Sequence, residues 1–188
     1  MTPPWNDWYH CNGNTFGTWV RGDERGWRSR RHREHVEGDY HNPPPVEKYA
    51  KERAYSKQIM KREPVVLTQA AQDVACARMV EALHHHTIEV AVLCVDDHHF
   101  HVLARVPDHN PRRWIGIAKK ESARALSRAN LVSPGGVWAV RFRCLPITNK
   151  AHFENAQKYI ADHASRGASV WMRPDTNAAS PGIAIPGR

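Results

Sequence analysis

Residues 90–106, VAVLCVDDHHFHVLARV, constrain the fold of this chain more than any other segment. Two apolar runs flank a polar turn, so the segment reads as two strands, at roughly 88–95 and 99–106. Strand side chains alternate between faces, which puts His99 and His101 on one face and Phe100 on the other. Two imidazoles about 7 Å apart along one face can converge on a single divalent metal ion. His98 falls on the face of Phe100 and is the poorer ligand candidate. The plainer alternative is a polar strand face that merely tolerates histidine, and in a chain with 13 histidines the H-x-H alone does not choose between the two.

The segment KAHFENAQKYIADHASRGA, about 60 residues downstream, adds a second element. Phe153, Ala156, Ile160 and Ala164 recur at helical spacing and are expected to face a core. Tyr159 and His163 stand at i and i+4, one turn apart on an adjacent stripe. A lone helical tyrosine is usually a half-buried packing residue. Together with an H-x-H strand, the pair supplies a phenol nucleophile, Tyr159, and a third metal ligand, His163. Asp96, three residues before His99, is a further candidate as metal ligand or base; its plainer role is to satisfy backbone groups in the turn.

The remaining chain punctuates clearly. A first strand is expected within 8–20, weakened by Asn12, Gly13 and Asn14. An Arg/His/Gly/Pro-rich stretch follows over 21–46, then a charged amphipathic helix that Pro64 stops. Thr68 is placed to N-cap a helix whose Ala75, Met79, Ala82 and Leu83 form one apolar stripe. Pro111 opens another helix, and VWAVRFRCLPI alternates as a strand, with Val137, Ala139, Arg141 and Arg143 on one side and Trp138, Val140, Phe142 and Cys144 on the other. The order strand, helix, strand, strand, helix, strand is that of a split βαβ unit. The expected fold is therefore α+β and ferredoxin-like, a four-stranded antiparallel sheet with helices on one face. It carries a basic, partly helical insertion over 21–63. One domain spans 1–171 and a flexible tail spans 172–188, whose composition is that of a disordered segment. The Tyr159 helix must then meet His99 and His101 on the open face of the sheet.

H-F-H and KYIADH, preceded by GTWVRGDERGW, resemble in that order the HUH superfamily of single-tyrosine transposases, and within it the REP-associated tyrosine transposases. The resemblance runs from about Trp8 to Trp171. It implies metal-dependent cleavage and rejoining of single-stranded, hairpin-associated DNA, with a 5′-phosphotyrosine on Tyr159 and a free 3′-OH. It also implies a divalent cofactor, Mg²⁺ or Mn²⁺, held by His99, His101 and His163, and a possible homodimer. Relatives often carry Gln or Asn where this chain has His163, and imidazole is at least as good a ligand. Three imidazoles by themselves favour Zn²⁺, which keeps a zinc-dependent hydrolase open as an alternative. A non-catalytic nucleic-acid-binding protein derived from such a transposase is the other.

Charge agrees with a polyanionic partner: 27 Lys and Arg against 19 Asp and Glu give a formal +8. Arg112, Arg113, Lys119, Lys120, Arg124 and Arg128 make the helix after Pro111 strongly basic, and Arg141 and Arg143 lie on one face of the last expected strand. These are the candidate DNA contacts, a plain solvated basic face being the alternative. RGDERGWRSRRHREH mixes Arg and His with Trp27, which suits single-stranded DNA as well as a disordered basic loop. Four cysteines without a C-x-x-C pair, no leader-like opening and no apolar run of membrane-spanning length lead to the expectation of a cytoplasmic, DNA-associated protein with no membrane contact.

Overall fold

The computed structural model describes residues 5–25, 27, 45 and 47–174. Most of the basic stretch over 21–46 and the tail beyond 174 lie outside the described residues. Among the described residues five strands form one antiparallel sheet: β1 (Trp8–Thr15), β2 (Glu89–Val95), β3 (His99–Arg105), β4 (Trp138–Pro146) and β5 (Ser169–Met172), in the order β4-β1-β3-β2-β5. The helices are α1 (Ala50–Gln58), α2 (Gln69–His85), α3 (Pro111–Arg128) and α4 (Lys150–Ala161), the last continued by a 3₁₀ turn over Asp162–Arg166.

The β1-α2-β2-β3-α3-β4 portion is the expected ferredoxin-like unit, with two differences. The sheet has five strands rather than four, because β5 pairs with the outer edge of β2. At four residues, β5 is too short for alternation to reveal it. Helices also cover both faces rather than one. α2 and α3 pack on the side of Phe100 and Val102, burying Met79, Leu83, Ile115 and Leu126; α4 packs on the other, burying Ala156 and Ile160 against Ala91, Val92, Cys94 and Leu103. This double cover explains why β2 and β3 read as nearly continuous apolar runs. A bulge at Ala91 breaks the alternation of β2, so that Ala91 and Val92 both serve the α4 side while Val90 and Leu93 serve the α2/α3 side.

Each of the three long helices starts on a side-chain cap. Thr68 Oγ1 accepts from Ala71 N–H at 3.4 Å, and Asn110 Oδ1 accepts from Arg113 N–H at 3.3 Å. Asn149 Oδ1 accepts from His152 N–H at 2.8 Å. Pro111 occupies the first turn of α3, where its missing N–H costs nothing.

β1 is continuous through the Asn12-Gly13-Asn14 sequence that was expected to weaken it. Gly13 is required there. A Cβ on it would lie 2.8 Å from both Phe100 Cε1 and Phe142 Cβ, so the rings from β3 and β4 close over the bare backbone of β1. β4 departs from clean alternation. Between the pairs Gly13↔Phe142 and Thr15↔Trp138 the register shifts, and Val140 is extruded to 93% exposure while Trp138 and Phe142 pack inward.

Candidate active site

Registered partners in an antiparallel sheet share a face. Cys94, His101, Asn12 and Arg143 form one such row across β2, β3, β1 and β4, and Asn14 lies opposite His99 in the next. This is the face that α4 covers, so the helix that carries Tyr159 does meet the H-x-H strand. Phe153, held between Trp5 and Trp8 at ring separations of 5.2 and 4.9 Å, anchors the start of α4. Ile160 seats its last turn in the core. Ala164, expected on the core stripe, is exposed, because the 3₁₀ turn rotates it away.

His99, His101 and His163 each present a ring nitrogen such that the three atoms lie within 4.8 Å of one another. His101 is 5% exposed and His163 1%, while His99 is half-buried at the rim. Burial pushes the His101 imidazole down to about 2 and that of His99 to about 4, with neighbouring imidazoles adding to the effect. These two rings are therefore neutral at neutral pH, the state in which imidazole ligates metal.

One hydrogen bond fixes which nitrogen His163 turns to the centre. His163 Nδ1 lies 2.8 Å from the Tyr159 carbonyl oxygen and donates to it, while its Nε2 is buried with no partner among the described residues. His99 Nδ1 is likewise buried with no partner among the described residues, and its Nε2 lies 3.9 Å from Asp96 Oδ2. Two orphaned imidazole nitrogens in a buried cluster cost free energy unless something accepts their lone pairs. A divalent ion at the centre of the three would do so, and the donor set fits one.

Tyr159 stands over this cluster in its own chain. Its ring meets His163 edge-on at 4.9 Å and His101 at 5.3 Å, and the side chain is 47% exposed. Asp96 is held in the turn, where Oδ1 accepts from Asp97 N–H at 2.7 Å and Oδ2 faces His99. Asp96, Asp97 and His98 also bring ligand atoms within 4.8 Å of one another, but His98 and Asp97 are already bonded to each other.

The basic candidates divide. Arg143 lies on the face of the histidines, in the row of His101, and Arg141 sits in the irregular stretch of β4. α3 lies on the opposite face of the sheet. Its Lys120, Arg124 and Arg128 form an exposed stripe at i, i+4, i+8, with Arg124 paired to Glu121 at 2.7 Å. Arg113 stacks on Trp114 at 4.5 Å, and Arg112 donates to the Phe142 carbonyl at 3.3 Å. Lys119 is unlike its neighbours: 9% exposed, it donates to the Ala139 carbonyl at 2.8 Å with its ammonium 4.3 Å from the Phe142 ring. Burial pushes its pKa down to about 8. Lys119 ties α3 to β4 instead of facing solvent.

β1 adds residues to the site that local sequence patterns do not point to. His10 Nε2 lies 2.9 Å from His101 Nδ1, and Asn12 and Asn14 share the site face. Polar His10, Asn12 and Asn14 alternate with Tyr9, Cys11 and Gly13, a period-2 signal whose target only the β1–β3 pairing reveals. Arg166, on the 3₁₀ turn, adds positive charge that bears on His101.

A family model for IS200-like transposases matches residues 58–163, which include β2, β3, all of α4 and the three clustered histidines. No curated protein matches the chain. Among solved structures it is similar to a REP-associated tyrosine transposase bound to a REP hairpin, at 11% identity over 88% of this chain and 71% of the other, with a TM-score of 0.43.

Proposed function

This chain belongs to the family of IS200-like transposases, and we propose that it cleaves and rejoins single-stranded DNA by transesterification through Tyr159. The observation that carries this reading is the half-exposed Tyr159 ring packed edge-on against His101 and His163, beside three imidazoles whose nitrogens converge. A nucleophile needs reach to substrate, and a ligand set needs burial and neutral rings. The site divides its residues in that way.

In the proposed reaction the Tyr159 oxygen forms a bond to the scissile phosphorus and the bond from phosphorus to the 3′ oxygen breaks. The products are a 5′-phosphotyrosine and, once the departing oxygen takes a proton, a 3′-OH. The phenolic proton leaves to solvent, to which the side chain is open. The reverse attack by a 3′-OH rejoins the strand with one phosphoester exchanged for another, so no nucleotide hydrolysis is required. His99, His101 and His163 would hold a divalent ion, Mg²⁺ or Mn²⁺, which would supply charge neutralisation at the scissile phosphate. Asp96, 3.9 Å from His99 Nε2, is a further metal ligand or base, and Arg143, which shares the histidines' face, holds the phosphate backbone beside the site. Arg141 extends this basic edge. Arg112, Arg113, Lys120, Arg124 and Arg128 offer a second surface on α3, suited to duplex phosphates such as those of a hairpin stem. Lys119 is left out of it by its burial.

The test is cleavage of an end-labelled single-stranded oligonucleotide with Mn²⁺. His101→Ala is expected to abolish cleavage while gel-shift affinity stays within a few-fold; full cleavage by that variant would overturn the reading. A second reading, a zinc-dependent hydrolase, draws on the all-imidazole donor set. There water attacks, and Tyr159→Phe keeps its turnover.

A further inference from the structure

We propose that His10 is a positioning residue that fixes the tautomer and ring orientation of His101 from the neighbouring strand. The inference rests on the reading of His101 as a metal ligand. His10 lies on β1, two residues along from Asn12, the direct partner of His101, and ring side chains on such diagonals reach each other. Its Nε2 is 2.9 Å from His101 Nδ1, with ring centroids 5.2 Å apart and planes inclined by 36°. Its ring also meets the Tyr159 ring edge-on at 6.3 Å.

Two neutral imidazoles that share one hydrogen bond have two ways to do so. If His10 donates, His101 carries its own proton on Nε2, and that N–H is what it offers the cluster. If His101 donates from Nδ1, its Nε2 lone pair is free. Only the second arrangement makes His101 a ligand, and it requires an acceptor at the position of His10 Nε2.

His163 follows the same logic with a different partner. It spends its Nδ1 proton on the Tyr159 carbonyl at 2.8 Å, whereas the Asp96 carboxylate stands 3.9 Å from His99 Nε2, beyond hydrogen-bond distance. His101 and His163 thus each have an acceptor behind the ring. Of these two acceptors His10 comes from β1, so it also ties the ligand cluster to the strand that joins β3 to β4.

The experiment combines a direct observation with a pair of variants. In wild-type protein labelled with ¹⁵N-histidine, long-range ¹H–¹⁵N spectra of the metal-free state should show His101 protonated at Nδ1. Protonation at Nε2 would overturn the proposal with no variant needed. Mn²⁺ titration followed by electron paramagnetic resonance should then show His10→Phe binding about 10- to 100-fold more weakly. His10→Gln, which keeps an acceptor, should recover most of that loss. Wild-type Mn²⁺ affinity in His10→Phe would overturn the role of His10 while leaving the metal site intact. Unchanged affinity in His101→Ala would instead overturn the metal-site reading on which the inference stands.

Discussion

The Nδ1 atom of His163 lies 2.8 Å from the carbonyl oxygen of Tyr159, one helical turn back along the chain. That carbonyl is among the last four of α4, which have no partner within the helix. One hydrogen bond therefore closes the end of α4, orients the third imidazole and pins the backbone of the proposed nucleophile. His163→Ala should cost more than a ligand: the final turn loosens and Tyr159 loses its placement. Covalent capture of DNA is expected to fall by at least about 100-fold, since misplacement by an ångström alone costs that much. His163→Gln, whose side chain can still ligate, should retain a larger share. Equal activity of wild type and His163→Ala in a single-turnover capture assay would contradict this.

Metal-free stability should depend on pH in a stated direction. His10 and His99 are pushed down to about 4 and His101 to about 2, in each case chiefly by burial, against an ordinary value near 6.5. Below pH 6.5 the unfolded chain takes up protons at these rings while the folded chain does not. The unfolded state binds more protons, so stability rises with pH through this window and is lost as pH falls from about 6.5 towards 4, with His101 extending the loss further down. Thermal melts at pH 7, 5.5 and 4.5 should show Tm falling, and falling less steeply in His101→Asn. Parallel slopes for the two proteins would show that His101 is not held neutral by burial.

Gly13→Ala tests the packing behind the site. The added methyl would meet Phe100 and Phe142 at 2.8 Å, and the Phe142 atom is a Cβ with little freedom to retreat. Overpacking of this kind costs about 1–3 kcal/mol. Urea unfolding should show the midpoint falling by that equivalent with m unchanged. A neutral result would mean that β1 shifts freely relative to β3 and β4.

The basic residues of α3 should separate by exposure. Removing Lys120 or Arg128 should weaken DNA binding and reduce the salt slope by about 0.7–0.9 for each phosphate that is no longer neutralised. Lys119→Met should leave that slope unchanged and alter Tm instead, because its ammonium is bound to the Ala139 carbonyl. A slope change in Lys119→Met equal to that in Lys120→Ala would place Lys119 on the DNA.

Much of this site was legible in the chain because its signals are local. Alternation put His99 and His101 on one face, and i,i+4 spacing paired Tyr159 with His163. Thr68 and Pro111 marked their helix starts for equally local reasons. What escaped depends on pairing between distant strands. The hydrogen bond of His10 with His101 spans 91 residues and exists because β1 lies beside β3. Gly13 reads as a weak strand position until Phe100 and Phe142 are seen to close over it. Lys119 reads as one more basic residue of α3 until β4 offers it a carbonyl. The bulge at Ala91 and the extrusion of Val140 are fixed by packing on both faces, which no short window of sequence encodes.

Attack on DNA by the Tyr159 phenol can be observed directly by incubating the protein with a labelled single-stranded oligonucleotide that carries its cleavage sequence and Mn²⁺, denaturing the mixture and mapping any covalent adduct by peptide mass spectrometry. A denaturation-resistant adduct is expected on the peptide containing Tyr159, and none in Tyr159→Phe, with gel-shift affinity retained. An adduct that persists in Tyr159→Phe, or one mapped to Tyr9, Tyr40, Tyr49 or Tyr55, would contradict it.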